Sequence, residues 1–220
     1  MTKKKHIVCF GDSNTHGYCA DPMDCEDHGD RFNENERWTR LLQQKLGDEY
    51  LVLEEGLSGR TTVFNDPLHE CMSGLDYITP CLMSHEPVDL LIIMLGTNDT
   101  KDRFYASAAC IGIGMARLVK KAMSTECWGG KQPNILVVCP PAMGKEMPNG
   151  IFGDTMCEFC VEKSEQLSKY YKEQCELLGV HFADAGAMGC EFNEIDYMHL
   201  IRKGHATLAE NLAELVPGLL

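Results

Sequence analysis

Ser13, Asp196 and His199 are the residue types that activate a serine hydroxyl for nucleophilic attack. Asp196 and His199 stand three positions apart, near enough for their side chains to touch. In such a set the carboxylate fixes one imidazole tautomer, and the other ring nitrogen takes the proton of the serine hydroxyl. Each feature also has a structural interpretation, because serine often caps helices and Asp–His pairs occur on protein surfaces. These residues therefore predict catalysis only if the fold brings them together.

Gly59 and Asn98 are suited to a second task, the stabilisation of an oxyanion. Attack on an ester carbonyl places negative charge on oxygen, which needs preorganised N–H donors. The Gly59 backbone N–H, the Asn98 side-chain amide and the Ser13 backbone N–H are candidate donors. A glycine also lets the backbone approach a substrate closely, since it has no Cβ. The structural alternatives are a turn glycine and a turn or capping asparagine.

Short apolar runs alternate with longer amphipathic segments along the chain. The apolar runs, which predict strands, are HIVCF (6–10), YLVLEE (50–55), VDLLIIML (88–95), NILVVC (134–139) and VHFADA (180–185). The amphipathic segments, which predict helices, span 36–47, 73–85, 106–125, 154–179 and 203–216. Strands that alternate with helices indicate parallel strands joined by crossovers. The sequence therefore predicts an α/β fold with a doubly wound parallel five-stranded sheet in three α/β/α layers.

The candidate catalytic residues all follow predicted strands. Ser13 comes after the first strand, Gly59 after the second, Asn98 after the third, and Asp196 with His199 after the fifth. Parallel strands end at the same edge of a sheet, and ligands bind in the crevice outside those carboxyl ends. Unrelated turns and caps would have to produce all these groups at one edge by coincidence. The joint pattern favours a serine nucleophile served by an oxyanion hole.

Length, charge and hydropathy restrict the class of protein. The 220 residues predict a single domain over 1–220, and the net charge of −13 disfavours nucleic acid and anionic membranes as partners. A small-molecule substrate fits this charge better. No apolar run is long enough to span a bilayer and the basic start lacks a secretion signal, so we expect a cytoplasmic protein. The phosphate-binding pattern GxxxxGK[ST] is absent.

The chain contains 12 cysteines, most of them within apolar runs. A reduced cysteine in such a run packs as a small hydrophobe. Cys157 and Cys160 form a CxxC pair, but no second pair at zinc-finger spacing accompanies them. We therefore expect this pair to pack in the core rather than to bind metal or act in redox chemistry.

The motifs that carry the candidate residues resemble the SGNH, or GDSL-like, hydrolases. The four blocks of that family are marked by Ser, Gly, Asn and His, which here stand in FGDSNTHG, EEGLSGRTT, IIMLGTND and DYMH. RWTRLLQQKLG and VDLLIIMLGTNDTK are similar to its arylesterase/acyltransferase branch. The resemblance implies a flavodoxin-like sheet with strand order 2-1-3-4-5 and carboxyl-ester hydrolysis through Ser13. It also implies acyl transfer to alcohols as a further activity, no metal or cofactor, and homo-oligomers among relatives.

The resemblance also concerns the surroundings of Ser13. Asn14 stands where leucine is frequent in the family, a change that we expect to leave the chemistry intact. His16 occupies a position where arylesterase-like relatives often carry tryptophan beside the acyl site. Asp12, His16 and Trp38 are the candidate substrate-binding residues. Asp12 is equally suited to bracing its loop, and Trp38 to anchoring a helix on the sheet.

Two irregular segments, 19–36 and 140–154, follow predicted strands and are candidate walls or lids of the site. The leading hypothesis is a serine esterase that acts on small acyl esters. A carbohydrate acetyl-esterase or deacetylase is an alternative, because the sequence does not define the alcohol side of the ester. A non-catalytic, flavodoxin-like ligand-binding module is an alternative of another class, which the presence of every catalytic residue type disfavours.

Overall fold

The computed structural model describes residues 3–156 and 158–220. Cys157, one half of the CxxC pair, lies outside the described residues, while Cys160 is fully buried. Within the described residues, no helix combines the length and the apolar character needed to cross a bilayer.

One sheet of five parallel strands runs through the molecule in the order β2-β1-β3-β4-β5. The strands are β1 Lys5–Gly11, β2 Tyr50–Gly56, β3 Leu90–Met94, β4 Ile135–Cys139 and β5 His181–Asp184. The Leu-, Ile- and Val-rich β3 and β4 are buried along their whole length, as expected for strands covered on both faces. The predicted fold class and strand order are confirmed.

Helices pack on both faces of the sheet and complete the three layers. One face carries α3 Gly74–Ser84, α4 Ala108–Met123 and α6 Cys160–Leu178, and the other carries α2 Trp38–Leu46 and α7 Arg202–Leu215. Two short helices, α1 Ser13–His16 and α5 Gly153–Met156, complete the set used below. The segment predicted as one helix over 154–179 thus contains two helices, α5 and α6. Met156 of α5 and Cys160 of α6 both pack in a separate methionine-rich cluster with Met143, Met147 and Met198.

The strand register brings the ends of β1, β2 and β3 to one level. Gly11 pairs with Gly56 of β2 and with Met94 of β3. The segments that follow these three strands therefore start side by side at one edge of the sheet, where the candidate residues were expected to meet.

Candidate active site

Ser13 lies at a tight turn between β1 and α1. Asp12 is the N-cap of α1, and its Oδ1 accepts from the Asn14 backbone N–H at 3.1 Å. The turn requires Gly11, because a Cβ there would come within 2.0 Å of Thr15 Oγ1. Asp12, and not Ser13, is thus the N-cap of α1. The Ser13 hydroxyl is left available at the edge of the sheet.

The Ser13 hydroxyl meets the imidazole of His199, and this imidazole meets Asp196. The distance from Ser13 Oγ to His199 Nε2 is 2.7 Å, and that from His199 Nδ1 to Asp196 Oδ2 is also 2.7 Å. All three side chains are buried, so the Asp196–His199 pair is not a surface ion pair. An ionised carboxylate only accepts, so Nδ1 carries the proton and Nε2 accepts from the serine hydroxyl.

Asp196 is held ionised by its surroundings. Burial alone would raise the pKa of its carboxyl, but hydrogen bonds and charge interaction with His199 outweigh burial and lower that pKa. Its Oδ1 accepts from Asn193 Nδ2 at 2.9 Å and from the backbone N–H groups of Met198 and His199, both at 3.0 Å. A carboxylate fixed in this way can orient the imidazole and stabilise the imidazolium formed during reaction.

Asn193 organises the loop that carries this pair. Its Oδ1 accepts from the backbone N–H groups of Ile195 and Asp196, both at 2.8 Å. Its Nδ2 donates to the carbonyl of His199 at 2.8 Å. Sequence reasoning missed Asn193, because the only signal available was an asparagine three positions before Asp196.

Asn14 holds the same loop from the other side. Its Nδ2 donates to the carbonyl of Met198 at 3.3 Å, and its Oδ1 accepts from the N–H of Leu200 at 2.9 Å. These two bonds bracket His199 and join α1 to a loop that lies more than 180 residues later in the chain. Asn14, which stands where leucine is frequent in the family, therefore bonds directly to the residues on either side of His199.

Gly59 and Asn98 are the predicted oxyanion donors. Gly59 has φ +90°, a conformation that favours glycine, and both residues line the same cavity as Ser13. Asn98 Nδ2 donates to the carbonyl of Arg60 at 3.2 Å, which orients the amide and leaves its second N–H for another acceptor. Arg60 in turn donates to the Gly11 carbonyl at 3.0 Å, so the loops after β1, β2 and β3 are linked.

These groups open into a cavity of about 320 Å³. Its polar lining includes Ser13, His199, Lys101 and Arg103. A large part of the remaining lining is apolar and consists of Tyr18, Leu68, Phe152, Met156 and Met198. The cavity thus combines a reactive hydroxyl with an apolar surface that can receive an acyl or aryl group.

The three candidate substrate-binding residues lie elsewhere. Asp12, His16 and Trp38 are not among the described residues that line the cavity. Asp12 caps α1, and Trp38 packs in the core between α2 and the sheet, so the bracing and anchoring alternatives describe them better. His16 is half-buried, and its carbonyl accepts from Arg31 Nε at 2.8 Å.

Tyr18 is the aromatic residue that does line the cavity. Its ring lies edge-on to the His199 imidazole, with 4.6 Å between the ring centroids. His16, two positions earlier, was the predicted residue, because arylesterase-like relatives often carry tryptophan at that position. In the structure Gly17 ends α1 between the two residues. Tyr18 therefore takes the place beside the reacting groups that was expected of position 16.

Only one of the two irregular segments contributes to the cavity. The segment 140–154 supplies Phe152, as expected of a wall. No residue of the acidic segment 19–36 is among the described residues that line the cavity. Instead its Asp24 accepts from the Arg202 backbone N–H at 2.7 Å, so this segment packs against the start of α7.

One group of side chains combines donor atoms of the types that ligate metal ions. Among the described residues, donor atoms of Glu55, Cys81 and His85 lie within 4.8 Å of one another. His85 Nε2 already contacts Glu55 Oε1 at 2.7 Å, and none of the three residues lines the cavity. The absence of a metal or cofactor from the chemistry stays a prediction.

Comparison with known proteins agrees with this geometry. The model of the GDSL-like Lipase/Acylhydrolase family matches residues 9–207. The chain belongs to this family. The protein is therefore a serine ester hydrolase, and its substrate is a small-molecule ester. No curated protein sequence matches the chain.

Solved structures of GDSL-like esterases share the fold over almost the whole chain. The M. smegmatis aryl esterase is 35% identical, with a TM-score of 0.86 over 98% of this chain and 100% of its own. Est24, a carbohydrate acetylesterase from Sinorhizobium meliloti, is 35% identical, with a TM-score of 0.86 over 99% of this chain and 100% of its own. A carbohydrate acetylesterase family member from S. meliloti is 31% identical, with a TM-score of 0.86 over 98% and 99% of the two chains.

Proposed function

We propose that this GDSL-like esterase hydrolyses esters of small acyl groups through an acyl-enzyme on Ser13. The observation that carries the proposal is the buried chain of contacts from Ser13 through His199 to Asp196, at 2.7 Å each. Ser13 Oγ attacks the ester carbonyl carbon while His199 Nε2 takes the hydroxyl proton. His199 then returns that proton to the leaving alcohol. Water repeats the sequence on the acyl-enzyme and releases the acid.

The oxyanion formed in each half of the reaction requires donors near Ser13. We assign this role to the backbone N–H of Ser13, the backbone N–H of Gly59 and the Nδ2 amide of Asn98. Ser13 occupies the first position of α1, where backbone N–H groups have no partner within the helix. The linked loops keep the three donors in place before the substrate arrives, which is the condition for strong oxyanion stabilisation.

Acyl transfer to an alcohol uses the same acyl-enzyme. An apolar lining beside His199 favours an alcohol with a hydrocarbon body over water at the deacylation step. We propose that the enzyme forms benzyl acetate from 4-nitrophenyl acetate and benzyl alcohol in buffer. Product analysis by gas chromatography measures the ratio of transfer to hydrolysis, and acetate as the sole acyl product would refute this part.

A carbohydrate acetyl ester is the second candidate substrate. It is favoured by the likeness to the S. meliloti carbohydrate acetylesterase, which is as close in identity and TM-score as the aryl esterase. Release of acetate from acetylated xylan or a peracetylated sugar, compared with 4-nitrophenyl acetate, separates the two. Preference for the sugar ester would identify a carbohydrate esterase, and preference for the aryl ester would identify an arylesterase.

Hydrolysis of 4-nitrophenyl acetate by wild type and by Ser13→Ala tests the mechanism. We expect kcat to fall by about 10⁴-fold or more, as when a nucleophile of a serine triad is removed. Ser124→Ala, at an exposed position after α4, is the matched control, and circular dichroism confirms folding of both variants. Activity that survived in a folded Ser13→Ala protein would remove Ser13 from the mechanism.

A further inference from the structure

Two cations stand in the wall of the cavity that holds Ser13. Lys101 and Arg103 both line it, although the chain as a whole carries a net charge of −13. Lys101 is buried, with only 8% of its side chain exposed, and Arg103 is 19% exposed. A buried cation is costly unless it is paired, so the partners of these two residues decide what the wall can bind.

Asp66 is the one carboxylate that both cations share. Arg103 makes a bidentate contact with it, Nε to Oδ1 at 3.1 Å and Nη2 to Oδ2 at 2.8 Å. Oδ1 also accepts from the Leu68 backbone N–H at 3.0 Å. These contacts and the charge of Lys101 outweigh burial and hold the pKa of the Asp66 carboxyl well below its usual range. Asp66 is therefore ionised, and it neutralises only one of the two positive charges.

Lys101 is the cation that remains incompletely paired. Among the described residues, the only hydrogen-bond partner of its Nζ is Asp66 Oδ2, at a long 3.3 Å. An ammonium group has three N–H donors, so two of them lack a protein acceptor. Burial, together with the charge of Arg103, lowers the pKa of Lys101 despite the attraction of Asp66 and of the more distant Asp99, to which its Nζ makes no hydrogen bond. Lys101 is thus a desolvated cation, and its partner Asp66 is bound more closely by Arg103 than by Lys101.

We propose that Lys101, supported by Arg103, binds a carboxylate that the substrate ester carries. This rests on the proposed function of the cavity and narrows its substrates to esters with an anionic group. The two oxygens of such a carboxylate accept from the two N–H groups of Lys101 that have no protein acceptor among the described residues. Its negative charge neutralises the positive charge that Asp66 does not. Lys101 follows the oxyanion donor Asn98 by three residues, so the carboxylate and the ester carbonyl occupy one cavity.

The test compares anionic and neutral esters that are otherwise alike. One pair, 4-acetoxybenzoate and its methyl ester, places the carboxylate on the leaving group. The other pair, mono-4-nitrophenyl glutarate and its methyl ester, places it on the acyl group. The measured quantity is the ratio of kcat/KM for the anionic ester to kcat/KM for the neutral ester, in wild type and in Lys101→Met.

We expect Lys101→Met to lower this ratio in at least one pair by about ten- to one-hundred-fold, the range for a charge-assisted hydrogen bond. The pair that responds shows which side of the ester carries the carboxylate. The matched control is Lys120→Met on the exposed face of α4, which removes the same charge from the whole chain but not from the cavity. Ratios unchanged in both pairs would overturn the proposal.

A second measurement keeps the proposal testable if Lys101→Met does not fold. In wild type, benzoate is expected to inhibit hydrolysis of a neutral ester competitively, with a Ki at least about ten-fold below that of benzamide. Equal inhibition by the two would overturn the carboxylate site. The proposed function fails separately, because it fails if hydrolysis of the neutral ester does not require Ser13.

Discussion

His199 and His205 are two buried imidazoles six residues apart, one before and one inside α7. Each meets the edge of an aromatic ring: Tyr18 lies 4.6 Å from His199 and Phe32 lies 4.8 Å from His205, between ring centroids. Burial and aromatic packing therefore do not distinguish them.

Hydrogen bonding does distinguish the two imidazoles. His199 lies between a carboxylate and a hydroxyl, whereas His205 Nδ1 accepts from the Trp38 backbone N–H at 3.2 Å. The proton of His205 is therefore on Nε2, which finds no hydrogen-bond partner among the described residues. Burial lowers the pKa of His205 to about 3, so this ring stays neutral. We therefore propose that His199 acts as the base because a carboxylate accepts from its ring, and that His205, which contacts no carboxylate among the described residues, is a core residue.

The largest effect is expected from removing the base. His199→Gln should lower kcat for 4-nitrophenyl acetate by about 10⁴- to 10⁶-fold, the range for a base of a serine triad. His205→Asn keeps an acceptor for the Trp38 N–H and should lower kcat far less. The comparison is made by measuring kcat for 4-nitrophenyl acetate hydrolysis in both folded variants. Similar losses in the two variants would mean that the hydrogen-bond partners do not separate their roles.

Removing the carboxylate should make His199 resemble His205. Asp196→Asn is expected to lower kcat by about 10³- to 10⁴-fold, because an amide does not stabilise the imidazolium and favours the wrong tautomer. The loop should stay folded, since Asn193 also bonds to the backbone there. A kcat within a few-fold of wild type would show that the carboxylate is not what makes His199 a base.

The variant Asn14→Ala tests whether kcat depends on the position of His199 as well as on its hydrogen-bond partners. Asn14→Ala leaves the Met198 carbonyl and the Leu200 N–H without their partner, which costs about 1–3 kcal/mol for each buried group. We expect a fall in kcat of about ten-fold with little change in KM, since the base is displaced but the cavity lining is kept. A thermal melt measures the loss of stability separately. An unchanged kcat would leave Asn14 with a structural role only.

The smallest effect is one of stability, and it concerns His205. Between pH about 6.5 and about 3 the unfolded chain protonates this histidine and the folded chain does not, so stability falls as the pH falls. From pH 7 to pH 5 this amounts to about 2 kcal/mol. Urea unfolding at both pH values should show a smaller loss in His205→Asn than in wild type. An equal loss would mean that His205 is protonated in the folded state.

Much of this site was predictable because its residues follow strand ends. Ser13, Gly59, Asn98 and the Asp196–His199 pair were expected at one edge of the sheet. The register brings the ends of β1, β2 and β3 to one level, and His199 contacts both Ser13 and Asp196. In a parallel sheet, residues that follow different strands lie at the same edge, so their position after a strand was enough to predict that they are close in space.

The parts that were not predictable depend on the path of irregular chain. Tyr18 lines the cavity just after Gly17 ends α1, and Phe152 lines it from the irregular segment before α5. The bonds from Asn14 to the His199 loop join residues more than 180 positions apart, with no periodic signal in the sequence. Side chains that position a catalytic group are visible only once the loops are placed.

We propose that His199, and not His205, activates Ser13. A serine-directed fluorophosphonate, reacted with wild type, His199→Gln and His205→Asn and mapped by peptide mass spectrometry, tests this assignment. We expect a single modified residue, Ser13, in wild type and in His205→Asn, and little modification in His199→Gln. Modification of another residue, or equal modification of Ser13 in His199→Gln, would contradict the role assigned to His199.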